Sequence, residues 1–223
     1  MFFPQLIADL HPTDSALEIG PGASPHPRSD SFLELSFDSD QAKVAQRGGG
    51  LTEAHFGARP VYSYNGGRFP FEDNQFDYVI CSHVIEHVLD PSSFLNEVFR
   101  VAGGRGYLEY PLVPYEYLYN FDVHLHFIKF DPAARLLRYL PKANTPIAEF
   151  SKIHTFFCRM LELGWDDLCA ANKRAFFEGF EFLQPFLTEK ANDVGMLMPL
   201  DSLVTQKSTT HSIVDRVQNK LFR

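Results

Sequence analysis

The sequence predicts an α/β fold with a doubly wound, mainly parallel sheet, and three observations carry that prediction. Short apolar runs recur through the first half of the chain, and one of them, Phe76 to Cys81, lacks strict alternation, as in a parallel strand buried on both faces. One well-signalled helix separates the last two of these runs. A glycine turn, Gly20-Pro21-Gly22, follows the first run directly, where such sheets let backbone approach a ligand.

Ala16 to Ile19 is the first strand, ended by Gly20. Phe32-Leu33-Glu34-Leu35 is the second, with an acid set among apolar residues. The segment between them is short and holds Pro25 and Pro27, so a helix there is expected to shrink to a loop. Arg47-Gly48-Gly49-Gly50 is a flexible break. Val61-Tyr62-Ser63-Tyr64 is a third strand rich in β-formers. Phe76 to Cys81 is a fourth. Asp90-Pro91 then opens a helix, with Asp90 as N-cap and Pro91 at the first helical position. Phe94, Leu95, Val98, Phe99 and Val101 share one face of it, and Gly103-Gly104 ends it. Gly106 to Tyr110 is the fifth strand, stopped by Pro111.

The second half carries fewer signals. Residues 112–130 are crowded with Tyr, Phe and His, Pro132 to Tyr139 reads as helical, and residues 150–187 mix helical spacing with more phenylalanine. The polar stretch Lys207 to Arg223 reads as a loose terminal helix. The expected organisation is a ligand-binding core over residues 1–145 and an aromatic-rich, helical C-terminal extension over 146–223, within the same domain.

Composition narrows the function classes. The chain has 223 residues and a formal net charge of −8, which argues against a nucleic-acid backbone as partner, since phosphate binding needs a cationic surface. Cys81, Cys158 and Cys169 are widely spaced and form no Cys-x-x-Cys, so free thiols are expected. The opening Met1 to Asp9 lacks a basic region and is broken by Pro4, a poor secretion signal. No uncharged run reaches the ~18 residues of a membrane span. These features read as a cytoplasmic protein.

Four polar groups stand at the ends of successive strands: the Glu18-x-Gly20-x-Gly22 turn, Glu34, Asn65-Gly66-Gly67 and Ser82-His83. A carboxylate at the end of the second strand can accept both hydroxyl hydrogens of a ribose, and an amide beside open glycine backbone can hold a purine edge. Each has a plain structural alternative as a turn, a cap or a solvated side chain. Asp38 or Asp40 takes the place of Glu34 if the strand is shifted.

The run Phe69-Pro70-Phe71-Glu72-Asp73-Asn74-Gln75-Phe76-Asp77-Tyr78-Val79, continuing to Glu86-His87, resembles the class I S-adenosylmethionine-dependent methyltransferases. It is closest to the type 11 methyltransferase-like subgroup, whose signature reads LPF-x-D-x-x-FD-x-V and then EH. The helix segment Glu97-Val98-Phe99-Arg100-Val101 with its glycine break continues the match, which spans roughly residues 15 to 111. The resemblance implies a Rossmann-like sheet with helices on both faces. It also implies S-adenosylmethionine as cofactor, held by Glu18, Gly20, Pro21, Gly22, Glu34, Asn65, Gly66, Ser82 and His83. Two positions depart from the family pattern: Ser24 replaces the third glycine of the first motif, and Asn65 replaces an aspartate.

The reaction so implied moves a methyl group to an oxygen or nitrogen of a small molecule, a glycan or a lipid-linked intermediate. Ser82-His83-Val84-Ile85 stands where amino-directed DNA methyltransferases carry Asn/Asp-Pro-Pro-aromatic. A hydroxyl acceptor calls for a general base, and His83, His87, His124 and His126 are the candidates. A cofactor-binding protein of the same fold without transfer activity is the alternative. Two further readings fare worse. His83-Val84-Ile85-Glu86-His87 is formally the inverted zinc-peptidase pattern, but it lies between a strand end and a new helix start, a poor scaffold for two ligands on one helix face, and no metal is expected. A dinucleotide fingerprint needs glycine where Pro25 stands.

Overall fold

The computed structural model describes residues 1–41, 44 and 55–198. The glycine break at 47–50 and the terminal segment 207–223 lie outside these residues. Nine strands form two sheets among the described residues. The larger has the order β3-β2-β1-β4-β5-β8, from β1 (Ala16–Ile19), β2 (Ser31–Leu35), β3 (Val61–Tyr64), β4 (Tyr78–Ser82), β5 (Gly106–Pro111) and β8 (Phe177–Phe182). The first five are mutually parallel, and β8 runs antiparallel to β5 at the edge. The doubly wound, mainly parallel sheet is as the sequence predicts. Residues 20–30 contain no helix, so the expected loop stands in place of the first crossover helix.

Helix α1 (Pro91–Ala102) follows its signals. The Asp90 carboxylate accepts the backbone N–H groups of Ser92 and Ser93 at 3.0 and 3.2 Å, and Gly103 closes the helix at φ 58°. Its buried face, Phe94, Leu95, Val98 and Val101, packs on Leu17, Ile19, Val79, Cys81 and Leu108 from the sheet. Alternate side chains of β4 and β5, namely Tyr78, Ile80 and Tyr107, point the other way. They are covered by Leu6, Ile7 and Leu10 of the N-terminal segment rather than by an α-helix.

Two readings of the second half are corrected. Pro132 to Tyr139 is not a helix: β6 (His126–Asp131) and β7 (Leu136–Pro141) form a hairpin across it. The Asp131 carboxylate accepts the N–H groups of Ala133 and Ala134, and Arg135 sits at φ 50°, so the local chemistry builds a turn. The extension from 146 is not purely helical either. After α2 (Val113–Tyr119) in the core half, it carries α3 (Ser151–Met160), α4 (Asp166–Ala171) and α5 (Lys173–Phe176). It then supplies β8 to the central sheet and β9 (Leu187–Lys190) to the small β6-β7-β9 sheet. In β8 the alternation Phe177, Gly179 inward with Glu178 outward is a strand period, which the aromatic crowding hides in the sequence. Buried tyrosines tie the edge strand β8 to the inner strands of the same sheet: the Tyr78 hydroxyl donates to Glu181 and the Tyr110 hydroxyl to Glu178.

Candidate functional site

Strand register brings the candidate residues to one level. Ile19 pairs with Leu33 on one side and with Cys81 on the other, so Gly20, Glu34 and Ser82 follow at adjacent strand ends. The Gly20 N–H donates to the Leu33 carbonyl at 2.9 Å, which continues the ladder into the turn. Leu35 pairs with Tyr64, so Asn65 stands at the next strand end along. A cleft of about 1090 Å³ opens over these carboxyl ends, the place where an open parallel sheet receives its ligand. Its walls include Gly20, Pro21, Gly22, Glu34, Asn65, Gly66, Ser82 and His83.

Glu18 is the exception among the candidate binding residues. It is buried beneath the turn and does not line the cleft. Its Oε2 accepts the His26 N–H at 2.8 Å and the Ser29 hydroxyl at 2.7 Å. Arg59 reaches the Ser29 carbonyl at 3.0 Å from the other side. Burial raises the Glu18 carboxyl above its ordinary value, against the pull of those donors. Glu18 therefore fixes the loop that replaces the missing helix, and the loop in turn holds the glycine turn.

The turn suits a nucleoside ligand. Gly20 and Gly22 have φ of 57° and 60°, where L side chains are strained. A Cβ on Gly20 would stand 2.8 Å from Val84 Cγ2, whereas nothing lies within 4 Å of the corresponding position at Gly22. The backbone thus lies open toward the cleft at Gly22 and is packed close at Gly20. With the half-buried carboxylate of Glu34 and the exposed amide of Asn65 beside it, the donor and acceptor set fits the methionine, ribose and adenine portions of S-adenosylmethionine.

The far end of the cleft is built from buried charge. His83, at φ 56°, lies with Nε2 2.9 Å from Glu109 Oε1 and Nδ1 3.4 Å from Glu86 Oε1. Both are ion-pair contacts and not well-aligned hydrogen bonds. Burial alone would lower the imidazole, but the two carboxylates push it up to about 9. At neutral pH His83 is therefore a cation, and a protonated imidazole cannot serve as general base. Glu109 is fully buried and gathers donors from Ser82 Oγ at 2.9 Å, Tyr107 Oη at 2.5 Å and the Phe2 N–H at 2.8 Å.

His87 and His124 both line this end, with ring centroids 4.5 Å apart. His87 Nδ1 contacts the Val123 carbonyl at 2.9 Å, and His124 Nδ1 contacts Glu116 Oε1 at 2.6 Å. Glu116 is fully buried and also paired with Lys142. His126 is different: it is buried on β6 against Tyr139, does not line the cleft, and is held down to about 4 by burial and by Lys190. The inverted zinc-peptidase arrangement is not formed. Ile85–His87 is one 3-10 turn, and His83 is engaged with Glu109.

Glu109, Glu116 and Lys142 are the site residues that sequence reasoning missed. The signal for Glu109 is a lone acid inside the apolar strand Gly106-Tyr107-Leu108-Glu109-Tyr110, which burial makes expensive unless it is paired. Its donors Phe2 and Phe3 lie more than 100 residues away in sequence, so no local pattern announces them.

A family model described as a methyltransferase domain matches residues 34–109. Among solved structures, an S-adenosylmethionine-dependent methyltransferase of Thermotoga maritima is 25% identical, with 49% of each chain covered and a TM-score of 0.31. One from Methanosarcina mazei is 24% identical, with 56% of this chain and 69% of that chain covered and a TM-score of 0.33. The chain thus spans about half the length of the first of these. None of the curated proteins matches the chain.

Proposed function

We propose that this chain, which carries a class I methyltransferase domain of the type 11 kind, transfers a methyl group from S-adenosylmethionine to an oxygen or nitrogen nucleophile. The acceptor we assign is a small molecule, a glycan or a lipid-linked intermediate. The observation that carries the reading is the register that sets Gly20, Glu34, Asn65 and Ser82 at neighbouring strand ends around one cleft.

When bound, the cofactor supplies a sulfonium methyl already activated for displacement. What remains for the protein is to bind it and to align the acceptor. In this reading the turn Gly20–Gly22 lies along the methionine and ribose portions, and Glu34 accepts from the ribose hydroxyls. Asn65 accepts the adenine amino hydrogen through its side-chain carbonyl. His83, held as a cation between Glu86 and Glu109, fixes the wall beside Ser82 and takes no proton. The acidic net charge and the cleft's mixed walls support a non-nucleic-acid acceptor. No helix among the described residues is long and apolar enough to cross a membrane.

Calorimetry with S-adenosylmethionine tests the reading. One cofactor per chain is expected, and absence of binding at millimolar cofactor overturns it. Incubation with a metabolite extract then identifies the acceptor as the species that gains the mass of one methyl group.

A further inference from the structure

We propose that Glu86, His87 and His124 form a binding site for one divalent transition-metal ion, of the zinc class, at the acceptor end of the cleft. One donor atom of each residue lies within 4.8 Å of those of the other two. Two imidazoles and one carboxylate are a donor set that such ions favour over calcium or magnesium.

The backbone holds the three residues together. Glu86 and His87 sit on the 3-10 turn after β4, and His124 on the loop before β6. The Leu125 N–H donates to the Glu86 carbonyl at 2.7 Å, so the loop is pinned to the turn. Both imidazoles are oriented from behind. His87 Nδ1 faces the Val123 carbonyl and His124 Nδ1 faces the buried Glu116. These acceptors place the proton on Nδ1 and leave the Nε2 lone pair for a metal, which is how metal-binding histidines are set in proteins.

Glu86 supplies the independent observation. Three carboxylates are fully buried here. Glu109 takes hydrogen bonds from Phe2, Ser82 and Tyr107, and Glu116 holds His124 and Lys142. Glu86 has no hydrogen bond to either oxygen, and its one ion-pair contact, His83 Nδ1 at 3.4 Å, reaches Oε1 and leaves Oε2 without any partner. A buried carboxylate oxygen without a donor is costly and calls for a partner. A metal ion beside it, in reach of two pre-oriented imidazoles, is that partner.

The role of the ion, which rests on the methyl-transfer reading, is to activate a hydroxyl acceptor. A hydroxyl bound to the ion loses its proton to solvent more easily. Its oxygen lone pair then forms the new O–C bond to the methyl group, while the C–S bonding pair leaves with sulfur.

The test uses the untagged full chain after chelator treatment. Cobalt(II) is titrated in and followed by its visible absorption, zinc is used to compete, and melting temperature is read in parallel. The expected result is one ion per chain and a zinc-dependent rise in Tm. Glu86→Gln and His124→Ala should each weaken binding by at least about 100-fold, and Glu116→Gln, which touches the ion only through His124, by about 10-fold. Glu86→Gln keeps the shape of the side chain, so it carries the test if His124→Ala does not fold. It should melt no lower than the metal-free wild type and should lose the response to zinc. No stoichiometric cobalt or zinc binding by the wild type overturns the proposal, as does unchanged affinity in Glu86→Gln. Calorimetry with S-adenosylmethionine on the metal-free chain separates the two readings. Cofactor binding without metal binding removes this site alone, whereas metal binding without cofactor binding removes the methyl-transfer reading and leaves the site.

Discussion

At one end of the cleft, Gly20–Ser24 and Asn65–Gly67 offer backbone and small polar groups that are half-buried or exposed. At the other, His83, Glu86, Glu109, Glu116 and Lys142 are packed into a charged cluster whose three carboxylates are fully buried. The first end is held by main-chain hydrogen bonds and by Glu18 beneath it, so its exposed side chains matter little to folding. The second end depends on its paired members, because removing Glu109, Glu116 or their cations strands another charge away from water. Substitutions at the first end should therefore change ligand affinity, and substitutions of the paired residues at the second should change stability.

The largest expected effect is at Glu109. Glu109→Gln leaves His83 with only its longer contact to Glu86 and weakens the hold on Phe2 and Phe3. Loss of one partner from a buried ion pair costs about 3–5 kcal/mol. Urea unfolding should register a loss of that order, and a loss below 1 kcal/mol breaks the contrast between the two ends.

The pH profile of Tm sharpens the same point. Burial alone would raise the Glu109 carboxyl, but His83 and Tyr107 more than reverse this and bring it down from 4.5 to about 2. Its contribution is full above pH 4.5 and is lost as pH falls toward 2, about 3 kcal/mol in all. His83, raised to about 9, reports the same contact from the other side. That contribution is full below its ordinary 6.5 and is lost as pH rises through 9. In Glu109→Gln the acid limb should flatten and the alkaline limb should become shallower.

At the open end, Glu34→Ala should weaken S-adenosylmethionine binding by about 1.5–3 kcal/mol, the worth of hydrogen bonds to a charged acceptor. It should cost less stability than Glu109→Gln. Unchanged affinity would move the ribose acceptor to another residue and break the register argument. Gly20→Val forces a β-branched residue into left-handed backbone and against Val84, with strain of about 1–2 kcal/mol expressed at the turn. Asn65→Ala, at an exposed position, should have the smallest effect, about 0.5–1.5 kcal/mol of affinity and no shift in Tm.

The first half of the chain was legible because its signals are local. Buried parallel strands are short apolar runs, Asp90-Pro91 and Gly103 bracket α1, and Gly20 and Gly22 sit at positive φ directly after β1. These place the open end of the cleft almost completely. The charged end was not legible, because its meaning lies in long-range pairing. Glu109 is satisfied by Phe2 and Phe3, and His124 reaches the Glu86 turn only through the Leu125 hydrogen bond. Pro132 to Tyr139 reads as a helix in sequence, rich as it is in Ala, Leu and Arg, whereas the hairpin turn is set by the Asp131 side chain just before it. Glu18 belongs to the turn that its sequence position marks but lies beneath it: an acid in a buried strand serves the loop when no helix follows.

The most direct test of the account is calorimetric titration of the wild-type chain with S-adenosylmethionine beside Glu34→Ala and Gly20→Val. One cofactor per wild-type chain, with both variants weakened and still folded, is the predicted result. No heat of binding from the wild type at millimolar cofactor, or identical binding by all three proteins, would contradict it.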